Sequence, residues 1–365
     1  MNPTIETMRG LAALMVLTSH YHSFFLNSDS GIFQFLASGV DLFFVISGYL
    51  FAQNILHGMP KIPGYLLRRF FRIYPLYLLS LLMYAAATPS DEDKALYFIR
   101  HLFFLQTTRD LDELNFFNSA YWTLPVEVEF YLVVPLLFAL HRCHRFALPG
   151  LVLLAVAVKA LLNLEPLVPP EISLAQLVDH HLPGKFLEFF AGVAVYKSTQ
   201  SMPAVGRIRR AIALVAGLAL LGWLASIWHE LRAPGIQESP WLRPTFNILA
   251  AASYALLLYG LVSARMPARL ASFGLTAGAL SYGVYLLHHL PVVVIERFQL
   301  PADGGGGYLA ATLFTLLLAT LCAWLVEYPA RQYGRNLARR LSGPDTTDAC
   351  VEGTLQTNAQ KVADK

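Results

Sequence analysis

From residue 5 onward the chain alternates between long apolar runs and short polar stretches. The runs lie at roughly 5–25, 33–56, 73–88, 121–140, 147–164, 183–198, 208–228, 245–264, 275–297 and 308–326. A helix needs about 20 apolar residues to cross the hydrocarbon core of a bilayer. Most of these runs reach that length; 73–88 and 183–198 fall short of it. Residues 96–106 form a further apolar stretch, broken by Arg100 and His101, that suits an interfacial or re-entrant piece. The pattern predicts an all-α polytopic membrane protein with about ten transmembrane helices.

The polar stretches orient those helices. If the N-terminus is cytoplasmic, the inner loops and the tail carry sixteen cations: Lys61, Arg68, Arg69, Arg72, Arg142, Arg145, Lys197, Arg207, Arg209, Arg210, Arg265, Arg269, Arg331, Arg335, Arg339 and Arg340. The outer loops carry six: Lys94, Arg100, Arg109, Arg232, Arg243 and Arg297. Cytoplasmic loops collect Lys and Arg, so both termini are expected in the cytoplasm. Residues 1–340 then form one integral-membrane domain. The polar, aperiodic 341–365 reads as a disordered cytoplasmic tail. GGGG at 304–307 reads as a tight or flexible outer loop.

Composition strengthens this picture. The 365 residues are 56% hydrophobic and 14% charged, against about 25% charged in soluble domains. The apolar start lacks a basic n-region and a cleavage site, so it reads as a retained first helix rather than a signal peptide. The three cysteines, Cys143, Cys322 and Cys350, show no metal or disulfide spacing. No phosphate-binding glycine loop is present, and neither a metal nor a nucleic-acid partner is expected.

Ionisable residues within membrane spans are costly and tend to face a cavity or a partner. In IETMRGLAALMVLTSHYHSFF, Arg9 and His20 are eleven residues apart. Three helical turns place them on one stripe, roughly 16 Å apart. Counting from the outer ends at 1.5 Å per residue, His20 is about 8 Å deep, Asp41 and Glu129 about 12 Å, Glu127 about 9 Å and His288 about 13–14 Å. His20, Asp41, Glu127 and His288 thus reach similar depth from four spans. A histidine beside a carboxylate suits general base chemistry. The inner side holds Arg9, Arg68, Arg69, Arg72, Glu327 and Arg331, and guanidinium groups suit phosphates.

Plainer readings exist for each. The arginines near 70 could simply obey the charge rule, and His20 could be a packing histidine. Glu129 lies roughly 200° around the helix from Glu127 and suits a structural role. Ser47-Gly48 suits close helix packing. His22 and His289 sit on faces other than those of His20 and His288.

Several ordered motifs give the chain a resemblance. MRGLAALMVLTSHY, GVDLFFVISGYLF, RRFFRIYPLY with its R-x-x-R pair Arg69 and Arg72, YWTLPVEVEFYLVVPLL, SYGVYLLHH and VEYPAR stand in sequence over about residues 5–335. Together they resemble membrane acyltransferase family 3, bacterial O-acyltransferases that modify glycans. Thr123 stands where the family usually has serine after Trp122, and Pro125 precedes Val126.

The resemblance implies an acyl-CoA donor, usually acetyl-CoA, and a glycan or lipid-linked sugar acceptor in the bacterial inner membrane. It implies catalytic roles for His20, Glu127 and Asp41, with either carboxylate orienting His20. His20 would act as general base or carry the acyl group itself. Donor binding falls to Arg9, Arg69 and Arg72. Tyr282, His288, Trp122 and Glu327, carried by the same motifs, are further substrate or supporting candidates. A small-molecule acceptor is an alternative. A proton-coupled transporter is the rival from another class, since buried Asp, Glu and His also build proton relays. Against it, the chain shows no repeated halves and no paired broken helices. A passive scaffold would leave the buried ionisable groups unexplained.

Overall fold

A computed structural model describes residues 2–26, 30–109, 111–162, 178–201, 206–231, 242–264, 266–302 and 304–342. Among these residues the chain is helical, with no strand. The helices are α1 (Pro3–Leu26), α2 (Gly31–Phe35), α3 (Gly39–Leu56), α4 (Ile62–Ala87), α5 (Lys94–Leu102), α6 (Leu111–Asn115), α7 (Thr123–Cys143), α8 (Ala147–Leu162), α9 (Leu182–Ser201), α10 (Arg207–Leu231), α11 (Leu242–Leu261), α12 (Ala268–Leu287), α13 (Leu290–Phe298), α14 (Gly304–Cys322) and α15 (Tyr328–Ser342).

Six helical segments are long and apolar enough to cross a membrane: Gly31–Leu56, Ile62–Ala87, Ser119–Cys143, Arg207–Trp228, Ala268–Phe298 and Gly304–Leu341. Two more, Ala147–Val158 and Thr245–Leu261, are apolar but shorter. The remaining two expected spans correspond to α1 and α9. These reach spanning length yet carry Glu6, Arg9, His20 and His22, and Lys185, Glu188 and Lys197, respectively.

α1 is central. It packs against α12, α3 and α14 and buries Ala12, Ala13, Val16, Leu17 and Tyr21. Small residues allow the closest crossings. A methyl on Gly48 would stand 1.8 Å from Phe189 O, and one on Gly192 1.9 Å from Val45 O, so α3 and α9 touch backbone to backbone. α10 pairs with α11, and α15 lies along α4.

Several boundaries differ from the sequence reading. The run at 73–88 is the second part of α4, which starts at Ile62 and therefore carries Arg68, Arg69 and Arg72 within the helix. The run at 275–297 is broken at His288–His289, between α12 and α13. Pro291 is the cause: it has no N–H to give Leu287 O, the bond that would continue α12. Gly304–Gly307 is the first turn of α14 rather than a loop; Gly304 takes φ +75°, and Gly307 packs so closely that a methyl would meet Ala302 O. The helix then continues to Ser342 through a π-turn at Ala323–Glu327.

The 96–106 stretch is the amphipathic α5 and its turn. Tyr97 and His101 face inward, whereas Leu96, Ile99 and Phe103 are exposed. Phe104, at φ 59°, turns back to stack on Tyr77. Arg232, Arg265 and the tail from residue 343 lie outside the described residues.

Candidate functional site

A cavity of about 450 Å³ opens among α1, α3, α4, α7, α12 and α15. Six guanidinium side chains line it: Arg9, Arg68, Arg69, Arg72, Arg331 and Arg335. Two carboxylates, Glu6 and Glu127, share the lining. Fixed positive charge therefore exceeds negative charge, an arrangement suited to a multiply charged anion.

Helical spacing holds much of this charge in place. Arg9 Nη1 donates to Glu6 Oε2 at 3.2 Å, one turn back on α1. Tyr131 OH donates to Glu127, four residues earlier on α7. Arg331 pairs with buried Glu327 across one turn, where the π-turn runs into α15. A π-turn adds a residue to the helical turn and so rotates the rest of the helix about its axis. Arg69 lies over the Phe51 ring, 4.7 Å from its centroid, with Tyr65 and Tyr131 at 5.8 and 5.6 Å. Its Nε is buried without a hydrogen-bond partner, leaving donor capacity for a bound group. Tyr282 OH donates to Ile73 O at 2.9 Å, fixing α12 against α4.

Farther along α1 lies a histidine group. His20 Nδ1 is 3.0 Å from Val16 O and 3.1 Å from His288 Nε2. His288 Nδ1 is 2.8 Å from Tyr285 O, and the residue is fully buried. His289 also turns toward His20, with ring centroids 6.0 Å apart. The helix break before Pro291 gives it that direction, against the sequence expectation of a separate face. Tyr285 joins the two regions: it is among the residues lining the basic cavity, and its carbonyl holds His288.

The carboxylate expected beside His20 is not among its hydrogen-bond partners. Glu127 belongs to the arginine cavity. Asp41 pairs with Lys185 at 3.6 Å, and Lys185 is also 3.6 Å from Glu188. Trp122 packs against this second cluster, with Lys185 Nζ 5.5 Å from its ring centroid and the rings of Phe44 and His180 at its edges. Glu129 takes the structural place read for it: it accepts from Leu182 N at 2.7 Å, capping α9, and bonds His181 Nδ1 at 2.5 Å. That bond raises the His181 pKa from its ordinary value, against the opposing effect of burial. His22 stacks on Phe33 instead of joining the histidine group.

Sequence reasoning passed over Glu6, Tyr131, Tyr285 and Lys185, and read Arg335, which lines the cavity, only as an inner-side charge. Glu6 and Tyr131 were findable, three and four residues from Arg9 and Glu127 on a helix. Lys185 carried a signal of its own, a lysine inside the apolar run 183–198, but not the identity of its partner, because Asp41 is far away in sequence.

Arg9 of the basic cavity and His20 of the histidine group thus stand on one central helix of a bundle with six helical segments long and apolar enough to cross a membrane. Residues 2–328 match the sequence family described as "Acyltransferase domain", and the chain belongs to that acyltransferase family. It is similar to "Protein 2 in picA locus" of Rhizobium radiobacter, at 35% identity over 37% of this chain and 62% of that protein. It is also similar to a provisionally named O-acetyltransferase of Staphylococcus aureus strain COL, at 25% identity over 37% of this chain and 24% of that protein. The alignments thus span less than two thirds of either relative. No solved structure matches the chain.

Proposed function

We propose that this protein is an integral-membrane O-acyltransferase that moves an acyl group, acetyl by preference, from cytoplasmic acyl-CoA to a hydroxyl of a cell-envelope or exported glycan. The observation that carries the reading is the division along α1: Arg9 stands in a cavity with an excess of guanidinium groups, and His20 stands in a histidine group farther on. The phosphates of CoA suit the first place. The second offers an imidazole for the acceptor hydroxyl.

In the proposed reaction, His20 takes the proton of the acceptor hydroxyl. The oxygen attacks the thioester carbonyl, the C–S bond breaks, and the CoA sulfur leaves with the proton returned by the imidazolium. The balance is one ester and one free thiol. Covalent transfer through His20 Nε2 would give the same products in two steps. Membership of the family and the O-acetyltransferase name of the staphylococcal relative support the reading. The loop charges support about ten spans with both ends in the cytoplasm of the bacterial inner membrane.

The test is transfer from radiolabelled acetyl-CoA in membranes that contain the protein and in membranes that lack it. Label in envelope glycan only with the protein is the expected result. No label in any hydroxyl acceptor, together with no binding of CoA, would remove the reading and favour a transporter.

A further inference from the structure

We propose that His288 is a positioning residue that, together with the Val16 carbonyl, fixes the tautomer of His20 and holds its ring, the place in the site where the sequence suggested a carboxylate. The inference rests on the acyl-transfer reading above. A backbone carbonyl only accepts hydrogen bonds. Tyr285 O, 2.8 Å from His288 Nδ1, therefore places a proton on that nitrogen. A neutral imidazole protonated at Nδ1 has a lone pair at Nε2. That lone pair faces His20 Nδ1 at 3.1 Å, and Val16 O faces the same nitrogen at 3.0 Å. Two acceptors meet at one nitrogen, so His20 Nδ1 carries the proton and shares it between them.

His20 Nε2 is then left with the lone pair, the form that can take a proton from a hydroxyl. The surroundings hold the arrangement. His288 is completely buried, and its carbonyl accepts from Tyr21 OH at 2.6 Å, which also bonds Thr315 at 2.8 Å. The rings against the pair are Tyr21 on α1, Tyr285 on α12 and His289 at the start of α13, with Tyr308 on α14 packed behind Tyr21. None is a carboxylate. Asp41 and Glu127, the two acids at similar depth, are held by Lys185 and in the arginine cavity.

The experiment uses the full-length protein in detergent with ¹⁵N-labelled histidine. His20 is assigned by the signal lost in His20→Gln. The expected spectrum shows His20 protonated at Nδ1. His288→Gln keeps an acceptor in its amide oxygen, whereas His288→Ala removes it. Acyl-transfer kcat is expected to fall roughly 10–100-fold in His288→Ala, the usual span for losing the partner that orients a functional histidine. His288→Gln should stay within about tenfold of wild type, one hydrogen bond's worth, and KM for acetyl-CoA should barely move in either. A wild-type spectrum with His20 protonated at Nε2 overturns the proposal, as does a Gln variant no better than Ala. If the wild type transfers no acyl group but shows the Nδ1 proton, the transferase reading fails while the tautomer assignment stands.

Discussion

Arg69 shows how much chemistry one side chain brings to the cavity. Its planar guanidinium lies over Phe51 and beside Tyr131, and it keeps an unpartnered Nε–H. Lysine keeps the charge but loses the plane and the fork. Arg69→Lys should raise KM for acetyl-CoA about tenfold, which corresponds to about 1.4 kcal/mol; steady-state kinetics on purified protein would show it. An unchanged KM would remove Arg69 from donor binding. At this scale the sequence was informative wherever partners share a helix turn. Arg9–Glu6, Glu127–Tyr131 and Glu327–Arg331 all follow helical spacing. It was silent where they do not. Asp41 and Lys185, or His20 and His288, meet only because helices distant in sequence pack together.

At the scale of elements, two histidines outside the spans respond to acid in opposite ways. The Glu129 hydrogen bond raises His181, so its protonated form favours the folded chain. That contribution is complete below about pH 6.5 and fades as the pH rises through the folded value. Burial lowers His101 to about 4, against the pull of its bond to Tyr97 O. The folded chain therefore loses stability as the pH falls from about 6.5 toward 4. Thermal unfolding between pH 5 and 8 should show His181→Gln costing more at the acid end and His101→Gln reducing acid sensitivity. Curves parallel to wild type would contradict both assignments. The α3–α9 crossing makes a separate prediction. Gly192→Ala places a methyl against Val45 O, and overpacking of this kind costs about 1–3 kcal/mol. A lower unfolding midpoint in detergent is the expected result. Helix existence was legible from the apolar runs, but ends were not. α4 reaches back to Ile62 because Arg and Tyr side chains can continue a helix whose inner face is polar. The break at His288 depended on Pro291, a signal three residues downstream.

The whole molecule is a helical bundle arranged around α1, a helix too polar to pass as a simple span. Its buried Glu6 and Arg9 face the cavity side, and its Tyr21 and His20 meet α12, α13 and α14. Hydropathy alone finds six strong spans because, of the ten expected, α1 and α9 carry buried charges and the apolar stretches of α8 and α11 are short. The proposed orientation predicts that a reporter fused after residue 342 is cytoplasmic and one placed near residue 91 is periplasmic. Both on one side would refute it.

If the arginine cavity binds the donor and His20 carries out the transfer, binding and chemistry separate along α1 and should separate in the kinetics. Measuring kcat and KM for acetyl-CoA in Arg72→Ala and His20→Ala side by side probes that division without intermediaries. A raised KM in the first and a collapsed kcat in the second are the expected results. Full kcat in His20→Ala, or an unchanged KM in Arg72→Ala, would contradict it.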